Sequence, residues 1–174
     1  CYDISNKRIV IAYSNSDDAS DGYAVVGKVN ADNTITFGTP VEFNPDPSLY
    51  IDICYADDQN KVVIVYKGNP SNNDAQAVVG TVNPTNNSIT FATAVPVTTS
   101  QTVSSNINCV YDRSTKRVVV CWQQGSGTAG GYCAAGSFNT SGVLGFGGGV
   151  IFNTGDSMYQ SLVYIDSVAP NSRR

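Results

Sequence analysis

The side chains best suited to chemistry in this sequence are acids grouped in one short segment. Asp17, Asp18 and Asp21 lie in NSDDASDG, residues 15–22. Hard cations such as Ca²⁺ prefer several oxygen ligands at close spacing, so the segment loosely resembles a calcium-binding loop. The acids do not follow the DxDxDG order, however, and two later loops, KGNPSNND and QQGSGTAGG, lack them. We therefore predict a solvated hairpin loop without metal ligands.

Acid–base and nucleophilic catalysis have few candidate residues. The chain contains no histidine, which removes Ser-His-Asp and Cys-His nucleophiles and histidine zinc sites. Glycoside hydrolysis needs two placed carboxylates, but Glu42 is the only glutamate and no pair of aspartates stands out. The glycines of GSGTAGG, residues 125–131, precede no helical pattern and indicate no nucleotide site. We predict a protein without enzymatic activity, metal or cofactor, with a glycoside hydrolase as the least favoured alternative.

Sugar binding is the chemistry that the aromatic and amide residues favour. Aromatic rings suit the apolar faces of sugars, and neighbouring amides and acids suit their hydroxyl edges. The candidate ligand-binding residues lie near loops that we expect on one face of the fold; they are Asp21, Tyr23, Tyr50, Gln123, Gln124, Tyr132 and Tyr159. The alternative is that these tyrosines pack at strand ends.

The cysteines number five, an odd count with wide spacing; they are Cys1, Cys54, Cys109, Cys121 and Cys133. This pattern argues against a full disulfide framework and contains no CxxC metal motif. We predict free, small, buried side chains, as is common for cysteine. A bridge between Cys121 and Cys133, which flank a loop and could face each other across a hairpin, is the alternative.

Charge and hydropathy exclude two classes of partner. The net charge is −4, charged residues make up 14% of the chain, and no cluster of lysine or arginine exceeds two residues. Nucleic-acid binding requires a basic face and is disfavoured. No apolar run approaches the length that spans a bilayer, so membrane insertion is not expected. Sequons occur at Asn86 and Asn139, and we take them as chance matches in a chain rich in Asn, Ser and Thr.

Recurring landmarks reveal an internal repeat. Tyrosines recur at spacings of 53, 56 and 53 residues; they are Tyr2, Tyr55, Tyr111 and Tyr164. Glycines and phenylalanines keep nearly the same intervals; they are Gly27, Gly80 and Gly136, and Phe37, Phe91 and Phe146. Independent landmarks with one period predict a repeated structural unit. The units cover residues 1–48, 49–103 and 104–157, and residues 158–174 begin a fourth.

Each unit predicts four short β-strands. Its four apolar runs are rich in Val, Ile, Tyr, Phe and Thr and are separated by turn residues. The second run, VVIVY in the middle unit, does not alternate with polar residues, so we expect it to be covered on both faces. The recurring mid-strand glycine predicts close approach of a neighbouring backbone between units. Arg8, Lys61 and Arg117 are expected to be solvated turn cations.

A four-stranded antiparallel unit repeated at this period is typical of a β-propeller blade, and we predict an all-β, propeller-type fold. Known propellers have at least four blades, whereas this chain provides three units and one strand. Either the chain is part of a longer protein, or further copies of it complete a ring. In the second case, the strand at residues 158–166 could supply the incomplete first unit of a partner.

The repeat resembles one that recurs in proteins of marine bacteriophages. The phrases that carry the resemblance are CYADDQNKVVIVY, AVVGTVNPTNNSITF and ITFGTPVEF. The third unit departs from them, with CAAGSF and LGFGGGV. The resemblance implies a virion surface component, such as a tail fibre, spike or decoration protein, that contacts the host, and hence a virion or extracellular location; together with the candidate sugar-binding residues it predicts attachment to host glycans. A soluble carbohydrate-binding lectin is the alternative.

Overall fold

A computed structural model describes residues 1–68, 74–98, 102–125 and 130–165. Over this part of the chain the strands form three antiparallel sheets, and there is no helix. Consequently no helix among the described residues could cross a membrane. The predicted all-β class is confirmed.

The three sheets follow one another along the chain, and each contains five strands. Sheet 1 contains β1 (Tyr2–Asp3), β2 (Arg8–Asn15), β3 (Asp21–Val29), β4 (Ile35–Phe37) and β5 (Val41–Pro47). Sheet 2 contains β6 (Leu49–Ala56), β7 (Lys61–Lys67), β8 (Ala75–Asn83), β9 (Ser88–Phe91) and β10 (Val95–Pro96). Sheet 3 contains β11 (Val103–Asp112), β12 (Arg117–Gln124), β13 (Gly130–Phe138), β14 (Leu144–Phe146) and β15 (Val150–Asn153).

The third strand of each sheet pairs with both of the strands that follow it. In sheet 1, Gly27 of β3 lies opposite Phe37 of β4, and Tyr23 of the same strand lies opposite Glu42 of β5. The last two strands therefore form one interrupted outer edge. The sequence predicted four strands in each unit, whereas each sheet has five, because the fourth predicted run forms two short strands along the same edge.

The middle sheet forms the centre of the core. Every side chain from Val62 to Tyr66 of β7 is buried. Val62, Ile64 and Tyr66 belong to the apolar cluster shared with sheet 1, whereas Val63 and Val65 belong to the one shared with sheet 3. Alternate side chains of a strand point to opposite faces, so this strand packs against a sheet on each side. The prediction of a strand covered on both faces is confirmed.

A tyrosine contact repeats between neighbouring sheets. The Tyr55 hydroxyl lies 2.7 Å from Ser5 Oγ in the first turn of sheet 1. At the equivalent position one sheet later, the Tyr111 hydroxyl donates a hydrogen bond to Asp58 Oδ1 in the first turn of sheet 2. Burial and this bond raise the pKa of Tyr111. Sheets 2 and 3 are therefore each anchored to the first turn of the sheet before them.

The recurring glycines serve a contact within each sheet, which corrects the prediction of close approach between units. Gly27, Gly80 and Gly136 lie directly opposite the recurring phenylalanines. A Cβ atom at Gly27 would lie 2.9 Å from Phe37 Cε1, and one at Gly136 would lie 2.7 Å from Phe146 Cδ1. The phenyl ring lies over the glycine of its own sheet, so a methyl group would displace it. The sequence interval between glycine and phenylalanine reflects this cross-strand pair.

One of the three recurring cations also differs from expectation. Arg8 donates hydrogen bonds to Asn87 Oδ1 at 2.7 Å and to the Pro84 carbonyl at 2.6 Å, both in a turn of sheet 2. The prediction of a solvated turn residue is wrong at Arg8, because packing of the sheets brings two turns together. Arg117, in contrast, donates to the Thr115 carbonyl of its own turn.

The cysteine prediction is wrong for one pair and right for another. Cys121 and Cys133 form a disulfide between β12 and β13, with their Cα atoms 4.1 Å apart. The antiparallel register places the two residues directly opposite each other, a relation that their spacing alone left open. Cys54 and Cys109 are free and buried, as predicted.

Candidate functional site

The acidic–tyrosine cluster of sheet 1, defined as Asp18, Asp21, Tyr23 and Glu42, is the main concentration of polar chemistry in the described chain. Carboxylate oxygens of Asp18, Asp21 and Glu42 all lie within 4.8 Å of one another. The Tyr23 hydroxyl donates to Asp18 Oδ2 at 2.6 Å and lies 3.3 Å from Glu42 Oε2. One phenol therefore bridges two of the three acids.

Backbone geometry brings these residues together from three segments. Asp18 lies in the loop between β2 and β3, which closes through hydrogen bonds from the Ser20 and Asp21 amides to the Asn15 and Asp18 carbonyls at 2.9 and 2.8 Å. Ala19 and Ser20 adopt positive φ values of 48° and 71°, which turn the chain sharply. Tyr23 lies on β3, directly opposite Glu42 of β5.

The surroundings of the cluster raise the pKa values of two of its members. Partial desolvation, together with Asp18, Glu42 and Asp46, raises the pKa of Asp21. The hydrogen bond to Asp18 is the largest cause that raises the pKa of Tyr23, so the phenol stays protonated and remains a donor. The cluster therefore offers both a hydrogen-bond donor and concentrated negative charge at the surface.

A second tyrosine extends the cluster into an aromatic shelf. Tyr13 of β2 lies opposite Tyr23, and the ring centroids are 6.1 Å apart with an interplanar angle of 26°. The same pair recurs in sheet 3 as Trp122 and Tyr132, at 6.0 Å and 19°. Trp122 is fully buried, whereas Tyr13 is only partly buried. The shelf can pack against an apolar face of a ligand while the acids accept hydrogen bonds from hydroxyl or amine groups.

Metal binding by this cluster has limited support. Three carboxylates can each offer one oxygen, whereas Ca²⁺ takes six to eight oxygen ligands. Asp17, the third acid of the segment, lies outside the three-acid group. Acidic groups at a surface are common without a cation. In addition, one carboxylate oxygen of Asp18 already accepts the hydrogen bond from Tyr23.

The remaining candidate residues lie on the other two sheets and beyond them. Tyr50 is 43% exposed, and Lys67 Nζ lies 5.9 Å from its ring centroid. Tyr159 is 83% exposed and follows sheet 3. Gln123 is buried, and its Oε1 accepts a hydrogen bond from Ser105. The Gln124 Oε1 atom is buried without a hydrogen-bond partner in the described part of the chain.

Of the predicted site residues, the structure brings Asp21 and Tyr23 together, because both lie beside Asp18. Tyr132 lies in sheet 3 instead, where it stacks on Trp122. Asp18, Glu42 and Tyr13 were missed as members of the site, since Asp18 was predicted only as a residue of a solvated loop. The signal for Tyr13 was its recurrence in the later units as Tyr66 and Trp122, at spacings of 53 and 56 residues. For Glu42 no local signal existed, since its position depends on the pairing of β3 with β5.

A separate groove contains no acid–base chemistry. It encloses about 640 Å³ between the outer edges of sheets 2 and 3, lined by residues 95–98 and 144–149. Its side chains are aliphatic, aromatic or hydroxyl groups, together with glycines. They include no carboxylate, thiol or amine that could transfer a proton in a reaction.

Comparison with known protein families finds no match, and comparison with curated proteins finds none either.

Proposed function

We propose that this chain is a non-enzymatic assembly and attachment module of a virion or extracellular surface, built from propeller-type blades. Each sheet would be one blade, and the anchoring tyrosines Tyr55 and Tyr111 would join successive blades. The observation that carries this proposal is the repeated sheet-to-sheet contact, whose apolar side chains are buried between sheets but exposed on the outer faces of sheets 1 and 3. The resemblance to phage repeats supports a virion location.

The acidic–tyrosine cluster supports attachment through sugars. Tyr13 and Tyr23 present a partly exposed aromatic shelf, and the carboxylates of Asp18, Asp21 and Glu42 lie along one of its edges. Sugar recognition combines an apolar stacking surface with hydrogen-bonding groups at the rim. Tyr50 and Tyr159 are further exposed rings outside the cluster. The same observation supports the second candidate, a soluble carbohydrate-binding lectin of cellular origin.

A glycan array at high protein concentration tests the sugar-binding part. We expect saturable binding that is lost in Tyr23→Ala and weakened in Asp21→Asn. Asp32→Asn is the matched control, because it removes a carboxylate from the turn at the opposite end of β3. If the wild-type chain binds no glycan, or if the control weakens binding equally, this cluster is not a sugar site.

Mass spectrometry of purified particles separates the two candidates. If the chain is a virion component, its peptides should be found in the purified virus-particle fraction. A lectin should remain in the particle-free fraction and still bind glycan.

A further inference from the structure

Two free thiols lie in the contact between sheets 2 and 3. Cys54 belongs to β6, the first strand of sheet 2, and Cys109 belongs to β11, the first strand of sheet 3. Each residue is 7% exposed, and both are members of the apolar cluster that these two sheets share. Neither residue belongs to the acidic–tyrosine cluster, so the proposed function uses neither thiol.

Alternation of side chains along the strands directs the two thiols towards each other. On β6, Cys54 and Ala56 belong to the apolar cluster shared with sheet 3. The residues between and before them, Ile53 and Tyr55, belong to the cluster shared with sheet 1. Since successive side chains point to opposite faces of a sheet, Cys54 faces sheet 3. Cys109 belongs to the same cluster as Cys54 and therefore faces sheet 2.

A hydrogen bond joins the two strands beside the thiols. The Cys109 amide donates to Asp52 Oδ2 at 2.7 Å, across the boundary between the sheets. Asp52 lies two residues before Cys54 on β6, so its carboxylate and the Cys54 thiol project from the same face of the strand. Among strands of different sheets in the described chain, β6 and β11 make the most extensive contact. The backbone therefore holds Cys109 against the part of β6 that presents Cys54.

The two sulfur atoms are close enough for their thiols to share a hydrogen bond. This bond with Cys54 is the largest cause that raises the pKa of Cys109, followed by burial, and the charge of Asp52 acts in the same direction. Cys109 consequently stays protonated and donates to the Cys54 sulfur. Because the thiolate is the nucleophile in thiol chemistry, Cys54 is the member of the pair that can react first.

The internal repeat shows that packing alone does not require a cysteine at either position. By strand register, Cys54 corresponds to Cys1 of sheet 1 and to Val110 of sheet 3. Cys109 corresponds to Ile53 of sheet 2. The contact between sheets 1 and 2 therefore has an isoleucine in place of the second thiol. Two cysteines coincide only at the contact between sheets 2 and 3 in the described chain.

We propose that Cys54 and Cys109 form a reversible disulfide that joins sheets 2 and 3 when a low-molecular-weight disulfide is present. The chain already contains one disulfide, Cys121–Cys133, which lies within sheet 3. The proposed bridge would instead cross the contact between two sheets. It also closes a longer loop, and closure of a longer loop restricts the unfolded chain more. This modification site goes beyond the proposed function and does not depend on sugar binding.

The oxidation is a thiol–disulfide exchange with the added disulfide, written RSSR. The Cys54 thiolate attacks one sulfur of RSSR, the S–S bond breaks, and the released RS⁻ takes up the proton that Cys54 lost. The Cys109 sulfur then attacks the Cys54 sulfur, and the second RS⁻ leaves with the proton of Cys109. The two cysteines lose two electrons and two protons, and RSSR is reduced to two RSH. Cys54 lines a surface pocket of about 330 Å³ through which a small disulfide can approach.

Peptide mapping of the full chain tests the bridge. The protein is equilibrated with reduced and oxidised glutathione, once in its native state and once during refolding from guanidinium, and the remaining thiols are alkylated. We expect a linked peptide that contains Cys54 and Cys109 in wild type and in Cys1→Ser, the control for the third free thiol. In Cys54→Val, which introduces the residue that sheet 3 has at this position, Cys109 should be alkylated.

Three results of this mapping overturn the proposal. They are alkylation of both Cys54 and Cys109 in both preparations, a glutathione adduct on Cys54 that never resolves into the bridge, and a bridge from either residue to Cys1. A bridge that forms only during refolding supports the pairing of the two thiols, because it shows that the fold brings them together.

Unfolding in guanidinium tests whether the bridge joins the folded sheets. The Cys121→Ala/Cys133→Ala variant is used because it lacks the other disulfide. Treatment with oxidised glutathione should raise its unfolding midpoint, and reductant should reverse the rise. Without oxidised glutathione the two thiols stay reduced, so reductant should have no effect. Adding Cys54→Val should abolish the rise, and a midpoint that oxidation leaves unchanged or lowers overturns the proposal.

Discussion

Gly136→Ala tests the pairing of glycine with phenylalanine that recurs in all three sheets. The new Cβ atom would lie 2.7 Å from Phe146 Cδ1 and Cε1 and 3.0 Å from the Gly145 carbonyl oxygen. The phenyl ring, which packs against the core between sheets 2 and 3, would have to tilt away. Overpacking of this kind costs about 1–3 kcal/mol. Restriction of the unfolded chain by alanine offsets about 0.4–1 kcal/mol, which leaves a net loss of about 1–2 kcal/mol.

Guanidinium unfolding with an unchanged denaturant slope measures this loss. The matched control is Gly145→Ala on the neighbouring strand, where a new Cβ would have no atom within 4 Å. This variant should be as stable as wild type or more stable by up to about 1 kcal/mol, because alanine restricts the unfolded chain and its Cβ meets no atom in the fold. Equal effects of the two substitutions would refute the reasoning.

The double variant Gly136→Ala/Phe146→Leu identifies the atom responsible. If the ring causes the loss, Gly136→Ala should cost less in the Phe146→Leu background than in wild type, because the smaller side chain can move aside. A cost that is the same in both backgrounds would assign the loss to the Gly145 carbonyl instead of the ring.

Two further predictions concern the disulfide and the acidic–tyrosine cluster. The disulfide joins two cysteines 12 positions apart in the sequence, so replacing Cys121 and Cys133 with alanine should lower the free energy of unfolding by about 3 kcal/mol. Adding reductant should cause the same loss in wild type and no loss in the variant. Because the pKa of Asp21 is raised above 3.8, the folded state holds this proton more tightly than the unfolded state, so its contribution to stability is present at low pH and is lost as pH rises through the raised pKa. As the pH rises through this range, the urea midpoint should fall less in Asp21→Asn than in wild type, because asparagine has no carboxyl proton to lose. Identical dependence of the midpoint on pH in the two proteins would contradict a raised pKa for Asp21.

The strands and turns were predictable because their causes are local. The run VVIVY has the residue types of a strand, and the lack of alternation correctly indicated burial on both faces of β7. Asn60, in the turn between β6 and β7, has a φ of 52°, a conformation that asparagine tolerates better than most residues. The recurrence of these local patterns predicted a repeated structural unit before any contact between units was known.

Which residues meet across strands and sheets depended on the tertiary structure. Sequence spacing correctly identified the recurring glycines and phenylalanines, but their partnership became apparent only from the register of Gly27 opposite Phe37. The disulfide of Cys121 and Cys133 likewise depends on a register that a shift of one residue would abolish.

The candidate site was also only half predictable. Asp21 and Tyr23 are near in sequence and could be selected from residue type, whereas Glu42 joins them through the pairing of β5 with β3. The sequence by itself determined the strands, their repetition and the chemical types available, because those follow from backbone propensity and hydrophobic pattern. The tertiary structure decided which side chains became neighbours, because cross-strand register and sheet packing are set by the whole core.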